Sequence, residues 1–352
     1  MSDFLRKHAY LIIISLVLLS GGILLLARTS GGIQQLSGYT MGTTYHIQIV
    51  DMPTALSSEE IATDVSALLL ALDIRIFSTY AADSELSRFN KQPLNQPFAA
   101  SSELLAVLTL AREIAELSDG AFDVTVGGLV NLWGFGPSLQ VPGDEFPQQR
   151  EIDSLLQSVG YELLKIDQAR AEITRGAEFY VDLSGIAKGY AVDQLAAYFD
   201  GLGVENYFLE IGGELKIKGE KPGAISWVPA IETPLDSTPQ IYEVFSTNGA
   251  EIAVAGSGDY RNYFEVDGLR YSHEIDPRNG RPVSHSLAAV YVIDDSAARA
   301  DALATAYMVL GLEAARELAQ ATAQAAYFIY TSDGVEFRDY VTPEFTDYLR
   351  TD

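Results

Sequence analysis

Cysteine is absent from all 352 residues. That excludes disulfides, thiolate zinc sites, iron–sulfur clusters and thiol nucleophiles, and it leaves the redox compartment unreadable from composition. Positive charge is scarce: 23 Lys and Arg stand against 48 Asp and Glu, a formal net charge of -25. So acidic a chain lacks the basic surface that binding a nucleic-acid backbone needs, and nucleic acid is excluded as a partner. The acidity speaks to a solvated surface rather than to the fold. Histidine occurs only four times. The generic signatures are missing too. There is no GxxxxGK[ST], no GxGxxG opening a helix after a strand, no GxSxG elbow and no HExxH helix. Any chemistry must lie in less generic clusters.

What is present is globular: 48% of residues are hydrophobic and 20% charged. The length exceeds one typical domain and is short for two. The first segment stands apart. "AYLIIISLVLLSGGILLLA" (9–27) is an uncharged apolar run long enough to span a bilayer. Arg6 and Lys7 precede it and Arg28 follows, a small bias toward a cytoplasmic N-terminus for residues 1–8. A cleaved signal peptide competes with this reading. The run is long for one, and "LLARTSGG" offers a poor cleavage site, which favours an uncleaved anchor. Residues 28–37 read as a linker, and 38–352 as the folded domain.

Beyond the linker, residues 43–50 place Tyr45, Ile47 and Ile49 on one face of a strand. Residues 57–77 predict a helix with a Ser57–Glu60 capping box and a stripe of Ile61, Val65, Leu68, Leu72 and Ile76. Further helices are expected over 101–118, 147–159, 185–200, 296–310 and 312–321, with a last one from 343. Strands are expected at 163–167, 171–174, 178–182, 206–211, 214–218, 225–231, 241–246, 250–255, 261–266, 269–273, 287–293 and 325–330. The mixture is α+β, without the regular alternation of a doubly wound sheet.

Four clusters carry chemical potential, each with a plainer structural alternative. "YTMGTTYHI" (39–47) sets Met41, a polarizable thioether suited to a flat ring, beside Gly42, where backbone can approach closely; taken alone, core packing is the better explanation. "SDGAFDVTVGGLVNLWGFG" (118–136) combines five glycines with Phe122, Trp133 and Phe135, which suits a planar ligand or a tight core crossing. "YVDLSGIAKGYAVDQLAAYF" (180–199) delivers Asp182 to a turn that opens a helix, whose free N–H groups and dipole favour an anion; Lys188 lies in its first turns. A capped helix with a solvated lysine is the alternative. In "ARADALATAYMVLG" (298–311), Asp301 and Thr305 are four apart and share a helical face. A carboxylate and a hydroxyl are hard oxygen ligands suited to Mg²⁺.

In order along the chain, "MGTTY", "FSTYAADSELSRFN", "GAFDVTVGGLVNLWGFG", "VDLSGIAKGYAVD", "EIGGEL", "AGSGDYRNYFEVDG", "YSHEIDPRNGRPV" and "ADALATAYMVLG" resemble the ApbE family of flavin transferases. The resemblance covers most of residues 38–330. It implies two lobes with FAD in a groove between them and Mg²⁺-dependent cleavage of the FAD pyrophosphate. The FMN half passes to a Thr or Ser of an acceptor protein, and AMP leaves. Acceptors in the family are subunits of membrane electron-transfer complexes, such as sodium-pumping quinone reductase and Rnf-type complexes. With the anchor, this implies a bacterial inner-membrane protein whose catalytic domain faces the periplasm.

Carried over residue by residue, the resemblance sets Met41 and Tyr80 against the flavin. Ala121, Phe122 and Asp123 line the groove, Asp182 and Lys188 bind polar parts, and the backbone at Ile275 touches the cofactor. Asp301, Thr305 and the Gly185 carbonyl hold Mg²⁺. Family members exported as lipoproteins carry a cysteine that this chain lacks, which touches the anchoring mode rather than the chemistry. Glu274 stands where the family usually has an apolar residue, and is expected to point to solvent. His273 is the expected base or phosphate contact, because histidine titrates near neutral pH. The turn that follows it, "DPRNG", reads as a hairpin tip at Asn279-Gly280. Two rival activities fit the same residues: hydrolysis of FAD to FMN and AMP, and flavin binding without turnover.

Overall fold

The computed structural model describes residues 27–28, 32–52, 57–137, 146–235, 240–259, 263–266, 269–332 and 336–349. The apolar run at 9–27 lies outside them except for Ala27, as do residues 1–8. Among the described residues no helix is long and apolar enough to cross a membrane.

Among the described residues, nine strands form the main sheet: β1 (Ala27–Arg28), β2 (Ile33–Thr40), β3 (Thr43–Val50), β4 (Tyr207–Ile211), β5 (Glu214–Lys218), β6 (Ile252–Gly258), β7 (Leu287–Asp294), β8 (Ala325–Thr331) and β9 (Phe337–Val341). They neighbour one another in chain order, and every pairing is antiparallel. The sheet is thus a meander interrupted by long helical insertions, which gives the expected α+β mixture.

Side chains alternate across a strand, so the sheet has two buried faces. On β6, Ala253 and Ala255 join the helical core, while Ile252 and Val254 join a second core with Trp227 and Phe345. The helical core is built by α1 (Ser58–Leu70), α2 (Ser102–Leu117), α3 (Ala187–Gly201) and α4 (Ala297–Leu310). The capping box at α1 is present, with the Glu60 amide donating to Ser57 Oγ at 3.2 Å and the Ser57 amide to Glu60 Oε2 at 2.7 Å. After Leu70 the helix widens into a π-helical turn, Ala71–Phe77. Within α1 the buried stripe runs through Ile61, Val65 and Leu69, with Leu68 half-buried, and past the changed period Phe77 is buried while Ile76 is half-buried.

Helix α4 is buried almost all round, chiefly through alanines. Those small side chains admit α3 closely: a Cβ on Gly189 would lie 2.2 Å from the Ala297 carbonyl oxygen.

The structure corrects three expectations. The second half of the linker, residues 33–37, belongs to strand β2, paired with β3 from Ile33↔Val50 to Thr40↔Thr43. Its sequence, "IQQLSGYT", hides this because only Leu36 and Thr40 are buried near the sheet edge. Residues 178–182 make a single bridge, Tyr180 to Val126, because the partner segment turns at once into the helix Gly127–Leu132. The strand expected at 225–231 is broken into Ile225–Ser226 and Ala230–Glu232, with Pro229 between them.

Two hairpin tips, Met41–Gly42 of β2–β3 and Gly212–Gly213 of β4–β5, point toward a small apolar cluster of Leu129, Trp133, Ile152 and Ile275. The space between them is the main groove.

Candidate active site

The groove has a volume of about 1330 Å³. Met41, Tyr80, Ala121, Phe122, Asp123, Asp182, Gly185, Lys188, His273, Ile275, Asp301 and Thr305 all line it. Residues separated by more than 250 positions in sequence therefore meet in one place.

At one wall, Met41 (φ 48°) and Gly42 (φ 75°) form the two-residue turn of a hairpin. Positive φ at both positions is what a type I′ turn requires, and this explains Gly42. No protein atom lies within 4 Å of where its Cβ would be, so close packing is not the reason for the glycine. The Met41 amide donates to Asp73 Oδ2 at 2.8 Å and fixes the turn. Burial pushes the Asp73 carboxyl up. Asp73 also lines the groove, and its only cue in the sequence is an acid that breaks the apolar helix stripe. Tyr80 is 74% exposed at the groove rim, a position open to stacking by a planar ligand.

The glycine-rich segment makes a tight core crossing and borders the groove. A Cβ on Gly127 would lie 2.6 Å from the Tyr180 carbonyl oxygen, so this glycine permits a core crossing. Ala121, Phe122 and Asp123, just before it, are buried yet border the groove. Asp123 Oδ1 accepts from the Thr125 amide at 2.8 Å and its hydroxyl at 2.7 Å. Burial nevertheless pushes the Asp123 carboxyl up.

Helix α3 starts without a side-chain cap from its N-cap residue, and its first amides are held within the protein: Ala187 donates to the Leu183 carbonyl at 2.9 Å and Gly189 to Asp301 Oδ2 at 3.0 Å. Asp182 turns the chain into it, accepting from the Ser184 amide at 2.8 Å. From the first turn Lys188 extends to Glu214 Oε1 at 3.0 Å and Asp301 Oδ1 at 3.8 Å. Burial alone would lower the Lys188 ammonium, but Asp301 and Glu214 outweigh it and hold the group above its ordinary range. Burial pushes both carboxyls up, against the pull of Lys188. Glu214, within "EIGGEL", also lines the groove, although nothing in the sequence singles it out. What brings it here is the turn at Gly212 and Gly213, with φ of 62° and 107°.

Asp301 Oδ2 accepts from the Gly189 amide at 3.0 Å, which ties α4 to α3. One turn on, Thr305 abuts Gly185: a Cβ there would lie 2.9 Å from Thr305 Oγ1. Asp301, Thr305 and the Gly185 backbone therefore share one pocket wall. They offer a carboxylate, a hydroxyl and a carbonyl, a hard oxygen set that suits Mg²⁺, which takes one or two carboxylates and leaves other positions to water and phosphate. Glu214 Oε2 is buried beside them without a hydrogen-bond donor, so the pocket has anionic capacity to spare. No cluster of three or more His, Cys, Asp or Glu fit to hold a metal occurs among the described residues, so any cation here would draw on few acidic side chains.

His273 lines the groove with its ring edge-on to Phe135 at 6.3 Å and its Nε2 3.8 Å from Glu274 Oε1. Glu274 corrects an expectation. It does not point to solvent but is 7% exposed, and it accepts from Ser257 Oγ at 2.6 Å. A buried carboxylate needs a donor and nearby positive charge, and Ser257 with Lys188 supplies them. The turn at 276–280 closes a short hairpin, as expected, with Gly280 at φ 71°. Its carbonyl accepts from Trp133 Nε1 at 2.8 Å, and a Cβ on Gly280 would lie 2.6 Å from Ile152. The turn thus docks on the small apolar cluster and holds Ile275 and His273 at the groove.

Comparison with known proteins places this arrangement. The model of the ApbE family matches residues 41–329. An FAD:protein FMN transferase of Vibrio cholerae is 42% identical over 330 residues, 93% of this chain and 96% of its own. One from Escherichia coli K12 is 38% identical over 320 residues, covering 89% and 88%. The solved flavin transferase ApbE from Vibrio cholerae superposes with a TM-score of 0.81 at 41% identity, covering 90% of this chain and 98% of that one.

Proposed function

The chain belongs to the ApbE family, and from that premise we propose that it transfers FMN from FAD to a Thr or Ser hydroxyl of an acceptor protein. One observation carries the reading. The start of α3, Lys188, the buried Asp301 and the half-buried Thr305 converge in a groove large enough for a dinucleotide.

In the proposed step the acceptor oxygen attacks the phosphorus of the FMN half. A new P–O bond forms, the bond from that phosphorus to the bridging oxygen breaks, and AMP leaves with that oxygen. The hydroxyl proton passes to a base, a role assigned to His273. The nucleophile belongs to the acceptor, so this chain needs no Ser–His pair of its own. Its work is alignment and charge neutralisation. Lys188 and the positive end of the α3 dipole receive the pyrophosphate charge. Met41 and Tyr80 contact the flavin ring, Ala121, Phe122, Asp123 and the backbone at Ile275 line its channel, and Asp182 orients the approach to α3. Asp301, Thr305 and the Gly185 carbonyl would hold Mg²⁺, which when bound supplies positive charge against the pyrophosphate.

The proposed setting is the bacterial inner membrane. Residues 9–27 anchor the chain and the catalytic domain faces the periplasm, where it meets subunits of sodium-pumping quinone reductase or Rnf-type complexes. The test is incubation of the protein with FAD, Mg²⁺ and such an acceptor subunit. Flavin fluorescence that stays with the acceptor through denaturing electrophoresis supports transfer. Free FMN and AMP without labelling identify a hydrolase, and unchanged FAD a binding protein; either overturns the proposal.

A further inference from the structure

The main sheet has an open edge inside the groove. Strand β6 pairs with β7 along its length, from Ala253↔Asp294 to Gly258↔Ala289. Its other side pairs with β5 only as far as Val254↔Leu215, because β5 begins at the Gly212–Gly213 turn. Residues 255–258, about 13 Å of extended chain, continue past that turn with no strand on that side among the described residues.

Antiparallel pairing fixes which groups are open. Residues along a strand direct both main-chain groups alternately to one neighbour and the other. The Asp259 amide donates to the Ala288 carbonyl, on the β7 side. Ser257 and Ala255 therefore share its direction, and Gly256 and Gly258 direct their N–H and C=O groups to the open side. Gly256, Ser257 and Gly258 all line the groove that holds Asp301 and Thr305. Gly256 and Gly258 are half-exposed, so an incoming chain can reach their main-chain groups. Glu210 Oε2 is buried without a donor in the same groove. The flanking surfaces are Phe208 and Tyr291, partly buried aromatics on the sheet face away from the helices.

We infer that Gly256 and Gly258 take up the segment of the acceptor that bears the target hydroxyl as an added β-strand. This rests on the transferase reading, since only a polypeptide nucleophile needs such an edge. Main-chain bonds tolerate varied acceptor sequences while fixing how far the hydroxyl projects toward Asp301 and Thr305.

The test uses the full chain, FAD, Mg²⁺ and the acceptor subunit, with two variants. Gly258→Pro removes an N–H that faces the groove and leaves the ladder to β7 intact; Gly258→Ala keeps that N–H. The acceptor KM should rise about tenfold in Gly258→Pro, the equivalent of one or two lost hydrogen bonds. It should stay near wild type in Gly258→Ala, with FAD affinity by flavin fluorescence unchanged in both. An unchanged acceptor KM in a folded Gly258→Pro protein overturns the inference, as does a matching loss of FAD affinity. A second measurement stands if that variant does not fold. Acceptor peptides N-methylated at single positions around the target residue should lose transfer at alternate positions, and an even effect along the peptide refutes strand addition. Failure of the unaltered protein to label any acceptor would refute the transferase reading instead.

Discussion

Gly189→Ala sets helix propensity against packing, and the two predict opposite signs. Alanine is favoured over glycine in a helix by about 1 kcal/mol, so propensity alone stabilises the variant. The α3–α4 contact argues otherwise. The new Cβ would lie 2.2 Å from the Ala297 carbonyl oxygen and 2.8 Å from the Ala298 Cα, both backbone atoms. Ordinary contact begins at 3.4 Å, so the helices must separate locally by 3.4 − 2.2 = 1.2 Å. Overpacking of a tight core costs about 1–3 kcal/mol. The separation also stretches the bond from the Gly189 amide to Asp301 Oδ2, now 3.0 Å, and a bond to a charged group contributes about 1.5–3 kcal/mol. Set against the propensity gain, the expected net loss is about 2–4 kcal/mol. Urea unfolding should show a lower midpoint at unchanged slope, and flavin transfer should fall because Asp301 shifts. A midpoint at or above wild type would refute this account of how α3 and α4 position the site.

Three further outcomes are expected. His273→Asn should slow transfer by about 10²–10⁴-fold with FAD affinity retained; a full rate across neutral pH would exclude His273 as the base. Trp133→Phe leaves the Gly280 carbonyl without its donor and should cost about 1–3 kcal/mol in urea unfolding, whereas an unchanged midpoint would show that the 276–280 turn does not depend on that bond. Burial raises the Asp123 carboxyl above its ordinary 3.8, so the folded state favours the protonated form. Stability should therefore fall as pH rises from that value through the raised one. Asp123→Asn keeps an acceptor for Thr125 and should remove that decline in unfolding free energy against pH; an identical decline would assign it to other groups.

Much of this was legible in the sequence, for reasons that differ by element. Residues 43–50 and 287–293 announce themselves as strands because they are buried and apolar, and the Ser57–Glu60 box fixes the start of α1. Residues 33–40 do not, because a strand near the sheet edge with few buried side chains lacks the period that marks a strand. The site residues were readable as short motifs around glycines and acids, and the fold brings all of them to one groove. Glu214 and Glu274 were not, because a carboxylate in sequence looks solvated until a tight turn or a neighbouring serine shows where it is held. The open edge of β6 could not be read either, since it depends on where β5 stops.

The central claim is that FMN transfer takes place at the Asp301–Thr305 pair. The most direct measurement is acceptor mass after incubation with FAD and Mg²⁺, comparing wild type with Asp301→Ala and measuring FAD affinity of both. The account predicts that the wild-type reaction adds the mass of one FMN less one water, and that Asp301→Ala binds FAD but leaves the acceptor mass unchanged. Undiminished Mg²⁺-dependent labelling by Asp301→Ala would contradict it.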